Sequence, residues 1–145
     1  MSGRLHRVPN CCDGWGCTVI ALCAVTGRSR EEIEACLRAV GVENFNSVPP
    51  KLWEKVLKPL GFDYTIKSND TIEPPIHAFM EGHGYEGVML VVARDALDNG
   101  HVFAANGRQF VDFYTKGEIA KNVSPPQGTP DFRVRHVVSL RPRAR

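Results

Sequence analysis

No stretch of this sequence is apolar for long enough to cross a bilayer. The longest nearly apolar run, Cys17 to Val25, is far short of the ~20 residues a membrane helix needs. Met1-Ser2-Gly3-Arg4-Leu5-His6-Arg7 has no apolar h-region, so a secretory signal is not expected. Paired Cys-x2-Cys knuckles are missing, and no His pair at x3–5 spacing follows, which argues against a structural zinc site. The five cysteines are an odd number with no signal ahead of them, and they read as reduced thiols in a cytoplasmic setting. Charge of one sign is also lacking, at a net +2, and no basic stripe interleaved with aromatics suggests single-strand nucleic-acid binding. There is no internal repeat.

What is present suits one globular domain over residues 1–145. The length allows roughly two-thirds of the unfolded surface to be buried, and 43% apolar with 23% charged residues is ordinary for such a fold. Basic charge gathers at the end, in Arg133, Arg135, Arg141, Arg143 and Arg145. Taking those five from the 18 basic residues leaves 13 against 16 acidic, so the body is net acidic. Residues 1–9 read as a loose arm, and 141–145 as a solvated Arg-rich tail.

The sequence opens with helices. Asn10 to Gly16 is a polar loop punctuated by glycine, running into an apolar helix from Cys17 that Gly27 ends. That helix is apolar nearly all round, which suits a buried central position. Ser29-Arg30-Glu31-Glu32 is a capping box, and Ile33, Cys36, Leu37 and Val40 follow at helical spacing until Gly41. After a loop over 42–48, Pro49-Pro50 starts a third helix with Leu52, Trp53, Val56, Leu57 and Leu60 as a core face.

The period then changes. Phe62 to Ile66 reads as a strand, Ile72 to Met80 as a short helical turn starting at its prolines, and Gly87 to Ala93 as a buried strand. Asn99-Gly100 reads as a turn, His101 to Ala105 as the returning strand, and Asn106-Gly107 as a second turn. Gln109 to Tyr114 is the next strand, residues 124–130 a Pro/Gly loop, and Phe132 to Leu140 an alternating final strand. Helices first and then an antiparallel meander is an α+β layout.

Cys17 stands out because a thiol at a helix N-terminus lies near the positive end of the helix dipole, beside N–H groups able to hold an oxyanion. Cysteine nucleophiles also need an imidazole and a group to orient it. His101 opens one strand and Asp112 lies on the next, so pairing His101–Ala105 with Arg108–Asp112 would make them cross-strand neighbours.

Three segments together resemble the papain-like cysteine hydrolases. They are Gly16-Cys17-Thr18-Val19-Ile20-Ala21-Leu22-Cys23-Ala24-Val25-Thr26-Gly27, Gly100-His101-Val102-Phe103-Ala104 and Val111-Asp112. They are similar in particular to small phage and bacterial papain-like proteins, and Asp13-Gly14-Trp15-Gly16-Cys17 echoes the nucleophile loop of ovarian-tumour-type deubiquitinases. The resemblance implies a papain-like fold and a Cys17–His101–Asp112 triad acting on a peptide, isopeptide or amide bond through a thioester. Protein or peptide is then the substrate, no cofactor or metal is implied, and a phage-encoded protein would work in the host cytoplasm or virion. The family's loop oxyanion donor is commonly Gln or Asn. This loop has no Gln, and Asn10 is its one side-chain amide.

Each reading has a plainer counterpart. Cys23 and Cys36 fit the core, and Cys11 and Cys12 fit structural or incidental roles. His83 follows glycine and is a rival base, whereas His77 and His136 read as satisfied imidazoles. Trp15 would either line a substrate cleft or cover the helix start. A second functional reading is a catalytically silent papain-like module binding a host or virion protein. A third is nucleic-acid association through the arginine tail, which would weaken steeply with salt.

Overall fold

The structure is a computed structural model, describing residues 3–45, 48–69, 74–82, 87–97, 99–121 and 132–143. Its helix α1, Cys17–Thr26, has Val19, Ile20, Ala21, Leu22 and Ala24 fully buried, as a helix apolar all round must. Gly27 ends it at φ +75°, a left-handed cap whose N–H donates to the Cys23 carbonyl. Ser29 caps α2, Arg30–Ala39, by accepting from the Glu32 N–H, and Ile33 and Leu37 are its buried face. The third helix is shorter than its pattern suggests. A 3₁₀ turn over Pro50–Leu52 leads into α3, Trp53–Leu57, with Trp53, Val56 and Leu57 buried.

Among the described residues six strands follow, with α4, Ile76–Gly82, after the first: β1 Phe62–Asn69, β2 Val88–Arg94, β3 Gly100–Asn106, β4 Gln109–Val111, β5 Ala120–Lys121 and β6 Arg133–Pro142. They form one antiparallel sheet in the order β1-β6-β2-β3-β4-β5. The α+β layout stands, but only β2 to β5 are a simple meander; β6 returns to lie between β1 and β2. The first two residues of the helical turn expected over 72–80, and the whole of the loop expected at 124–130, lie outside the described residues.

Both faces of the sheet are covered. Val88, Leu90, Val92, Val102, Ala104, Val111, Val138 and Leu140 join the core around α1, α2 and α3. Met89, Val91, Ala93, Phe103, Ala105, Phe110, Val134 and Val137 join a second core with Ile76, Phe79 and Met80 of α4. A strand buried on both faces needs apolar residues at every position, which is why β2 reads as an unbroken run.

The expectations for the two ends of the sequence are both corrected. The arm is packed: Leu5 and Val8 are buried, the His6 N–H donates to the Ala24 carbonyl at 2.8 Å, and the Val8 N–H donates to the Gly117 carbonyl at 2.8 Å. Arg133, Arg135, Arg141 and Pro142 belong to β6, where alternation lifts the arginines out of the core. Arg143 donates its N–H to the Gly61 carbonyl at 2.7 Å and pairs with Asp63 at 3.4 Å. Cys11 and Cys12 are adjacent in the loop with their sulfurs in contact, and Cys17, Cys23 and Cys36 are free thiols.

Gly117 is where the arm meets the sheet. It is buried at φ +78°, and a Cβ there would overlap the Val8 carbonyl oxygen and approach the Cys11 Cβ at 2.9 Å. Gly41 has φ +95° with nothing within 4 Å of such a Cβ. Gly117→Ala is therefore expected to cost about 3 kcal/mol or more, and Gly41→Ala only about 1, in urea midpoints. Equal losses would show that the arm yields freely.

Candidate functional site

The β3–β4 hairpin turns at Gly107-Arg108 and pairs Asn106 with Gln109, Ala105 with Phe110 and Ala104 with Val111. Against the expected pairing this is a shift of two residues, which leaves every side chain on its face. The ladder stops at Val111, so Asp112 opens the following turn instead of lying within the strand. It reaches His101 as a diagonal neighbour. His101 Nε2 and Asp112 Oδ2 are 3.0 Å apart, with the residues 6% and 1% exposed.

The turn holds the carboxylate in place. Asp112 Oδ1 accepts the Thr115 N–H at 2.9 Å, Thr115 Oγ1 donates back to the Asp112 carbonyl, and the Gly117 N–H reaches that carbonyl at 3.2 Å. Around His101 stand Phe103, Tyr114 and Phe132, at ring-centroid distances of 5.9, 5.6 and 6.2 Å. Phe103 belongs to the second core and Phe132 packs against it, so the imidazole lies on the α4 face.

Cys17 lies on the other face. It is half-buried and packs against the α1 core, in the wall of a cleft of about 440 Å³ shared with Trp53, Val92, Arg94, Asn99 and Val102. The structure brings His101 and Asp112 together and leaves Cys17 across the sheet from them. The cause is the two-residue period of β3, which turns Val102 to Cys17 and His101 away.

Gly16, the α1 N-cap, has no side chain with which to cap the helix, and the Ile20 N–H makes the first helical bond, to the Gly16 carbonyl. The N–H groups of Cys17, Thr18 and Val19 precede that ladder and carry the dipole's positive end. Opposite them, the β2–β3 connection is tied by Asp95, whose carboxylate accepts from the Leu97 and Asn99 N–H groups and from Asn99 Nδ2. Those bonds hold its carboxyl below the ordinary carboxylate value. Asp95 thus makes the turn expected of Asn99-Gly100, and Gly100 starts β3.

Asn10 and Trp15 do not line this cleft. Asn10 is exposed at φ +59°, and both residues border a second cleft of about 400 Å³ beside Arg28 and Arg30. There the Arg30 guanidinium sits 4.9 Å from the Trp15 ring. His83 lies outside the described residues. Arg94 and Trp53 are wall residues that motif spacing alone passes over. Arg94 was legible, because Val88, Leu90, Val92 and Arg94 fall on one face at strand period; Trp53 reads only as core.

No family model, curated protein or solved structure matches the sequence. The papain-like resemblance therefore stays with its short motifs. Among the described residues no helix is long and apolar enough to cross a membrane, and no group of three or more His, Cys, Asp or Glu could hold a metal ion.

Asp112→Ala removes the carboxylate from a buried imidazole and from the Thr115 N–H, an expected loss of about 3 kcal/mol in chemical unfolding. A loss under about 1 kcal/mol would mean the turn stands without it. Burial pushes the Cys23 thiol from 9.0 up to about 12. Its folded value exceeds its unfolded one, so its stabilising contribution is full below pH 9 and is lost as pH rises through 12. At a pH of about 8.5, near the ordinary thiol value, iodoacetamide should label Cys23 only upon unfolding, as read by mass spectrometry. Prompt native labelling would contradict this burial.

Proposed function

We propose that this domain binds a segment of a partner protein in the cleft at the start of α1, with Cys17 as part of the wall. One observation carries the reading. The cleft is lined by Cys17, Thr18, Trp53, Arg94 and Asn99 among apolar residues, with no imidazole or carboxylate among the described residues of its wall. A thiol needs a base within hydrogen-bond reach to act in acyl transfer. A concave site with a few donors among apolar walls suits recognition without one. A host or virion protein is the partner class that the phage-type resemblance suggests.

A second reading, the papain-like hydrolase, is favoured by the 3.0 Å His101–Asp112 contact. In it Cys17 attacks a carbonyl, His101 takes the thiol proton and passes it to the leaving amine, and Asp112 orients the ring. It requires His101 and Cys17 to share a face.

Alkylation of Cys17 followed against pH, resolved by mass spectrometry in wild type and His101→Ala, separates the two. Binding alone predicts that His101→Ala leaves the Cys17 profile unchanged. Rapid Cys17 reaction at about pH 6, well below the ordinary thiol value, that His101→Ala abolishes would establish the hydrolase instead.

A further inference from the structure

The two edges of the sheet are unlike. β5 ends one side with only two residues, too short to template another strand. β1 ends the other with eight residues, paired along one side to β6. The register tells which backbone groups of β1 stay open. One step before the Phe62–Pro142 pair, the Arg143 N–H donates to the Gly61 carbonyl at 2.7 Å. Hydrogen-bonded pairs alternate along an antiparallel ladder, so Asp63 and Thr65 turn their backbone groups toward β6. Phe62, Tyr64 and Ile66 turn theirs outward, and among the described residues no hydrogen bond meets them. Side chains follow the same alternation. Phe62 and Tyr64 pack against the α1 core, but Ile66, next on that face, is 57% exposed. Asp63 and Thr65 are exposed on the other face, and Lys67 is exposed at the bulge that interrupts the pairing with β6. Asp63 meets Arg143 through Oδ1 alone, at 3.4 Å, and Lys67 has no ion-pair partner among the described residues. A lysine and a bulge keep foreign strands off an edge. A second copy of β1 differs from a foreign strand, because it brings an acid to that lysine.

We infer that two copies of this chain pair antiparallel through β1, about a two-fold axis at Thr65, joining their sheets into one. A two-fold axis opposes positions equally spaced on either side of it. Placed at Thr65, it sets Tyr64 opposite Ile66 of the second copy. Both residues turn their backbone groups outward, so each such pair exchanges N–H···O=C bonds in both directions. The exposed Ile66 then lies beside an aromatic ring, a favourable cross-strand pair. On the other side of each strand Asp63 meets Lys67 of the second copy, and symmetry makes that ion pair twice. Other axes lack this match. At Asp63 or Lys67 the axis would oppose like charges, and at Tyr64 or Ile66 it would separate the acid from the lysine.

Sedimentation equilibrium of the full chain, in low salt with a reductant to keep thiols from cross-linking, should show monomer and dimer with a Kd below about 1 mM. Lys67→Glu opposes two acids on both sides of the axis and should weaken the dimer by about tenfold or more. Lys67→Arg keeps the charge and should keep the dimer. The residue is exposed, so neither change disturbs the core. Amide hydrogen exchange, resolved by residue, then locates the contact. The Tyr64 and Ile66 N–H groups should exchange fast in dilute monomer and become protected above the Kd, whereas those of Asp63 and Thr65 stay protected throughout. A chain that remains monomeric at about 1 mM overturns the inference. So does a dimer that Lys67→Glu leaves intact, or that Lys67→Arg weakens as much, or in which the Tyr64 and Ile66 amides stay unprotected.

Discussion

A β-strand sends successive side chains to opposite faces, and β3 carries that rule through the centre of the molecule. Val102 and Ala104 pack toward α1, while Phe103 and Ala105 pack toward α4. His101 follows Phe103. Because both faces are sealed by helices, a slip of one residue would exchange the two cores, and the register is fixed by the apolar burial on each side. The place of the imidazole is therefore a consequence of how the whole sheet is packed. It depends on the same constraint that gives Asp112 its position, since a diagonal partner must share the face of the residue it meets.

The second constraint is the burial of α1. A ten-residue helix this short has little stability of its own, so packing must hold it. The sheet covers one side, α2 another, and the arm supplies Leu5, Val8 and the His6 N–H bond to Ala24. Gly117 then ties the arm to the turn that begins at Asp112. The Cys17 start of α1 and the His101–Asp112 pair are thus held by one continuous set of contacts, though they lie on opposite faces of the sheet.

Much of this was legible from local chemistry. The capping box at Ser29, the Gly27 stop, the buried α1 and the apolar β2 follow from patterns with few alternatives, and so does the proximity of His101 and Asp112. Two kinds of feature were not. The place of β6 between β1 and β2 is a long-range pairing that no local signal encodes, and that pairing turns arginines of the presumed tail into strand residues. The face of His101 was readable in principle, because Val102 and Phe103 alternate beside it. Matching Gly-His-apolar-apolar as a motif treats the positions as a string and discards that alternation. Trp53 was hidden for another reason: a buried tryptophan reads as core, and only the assembled cleft shows it as wall.

A thiol at a helix start is ambiguous until its neighbours are known, since the same N–H groups that steady an oxyanion also hold a carboxylate. The distinction lies in what stands opposite. Catalysis needs a group that takes a proton, and the β3 positions facing Cys17 are Gly100 and Val102, neither of which does.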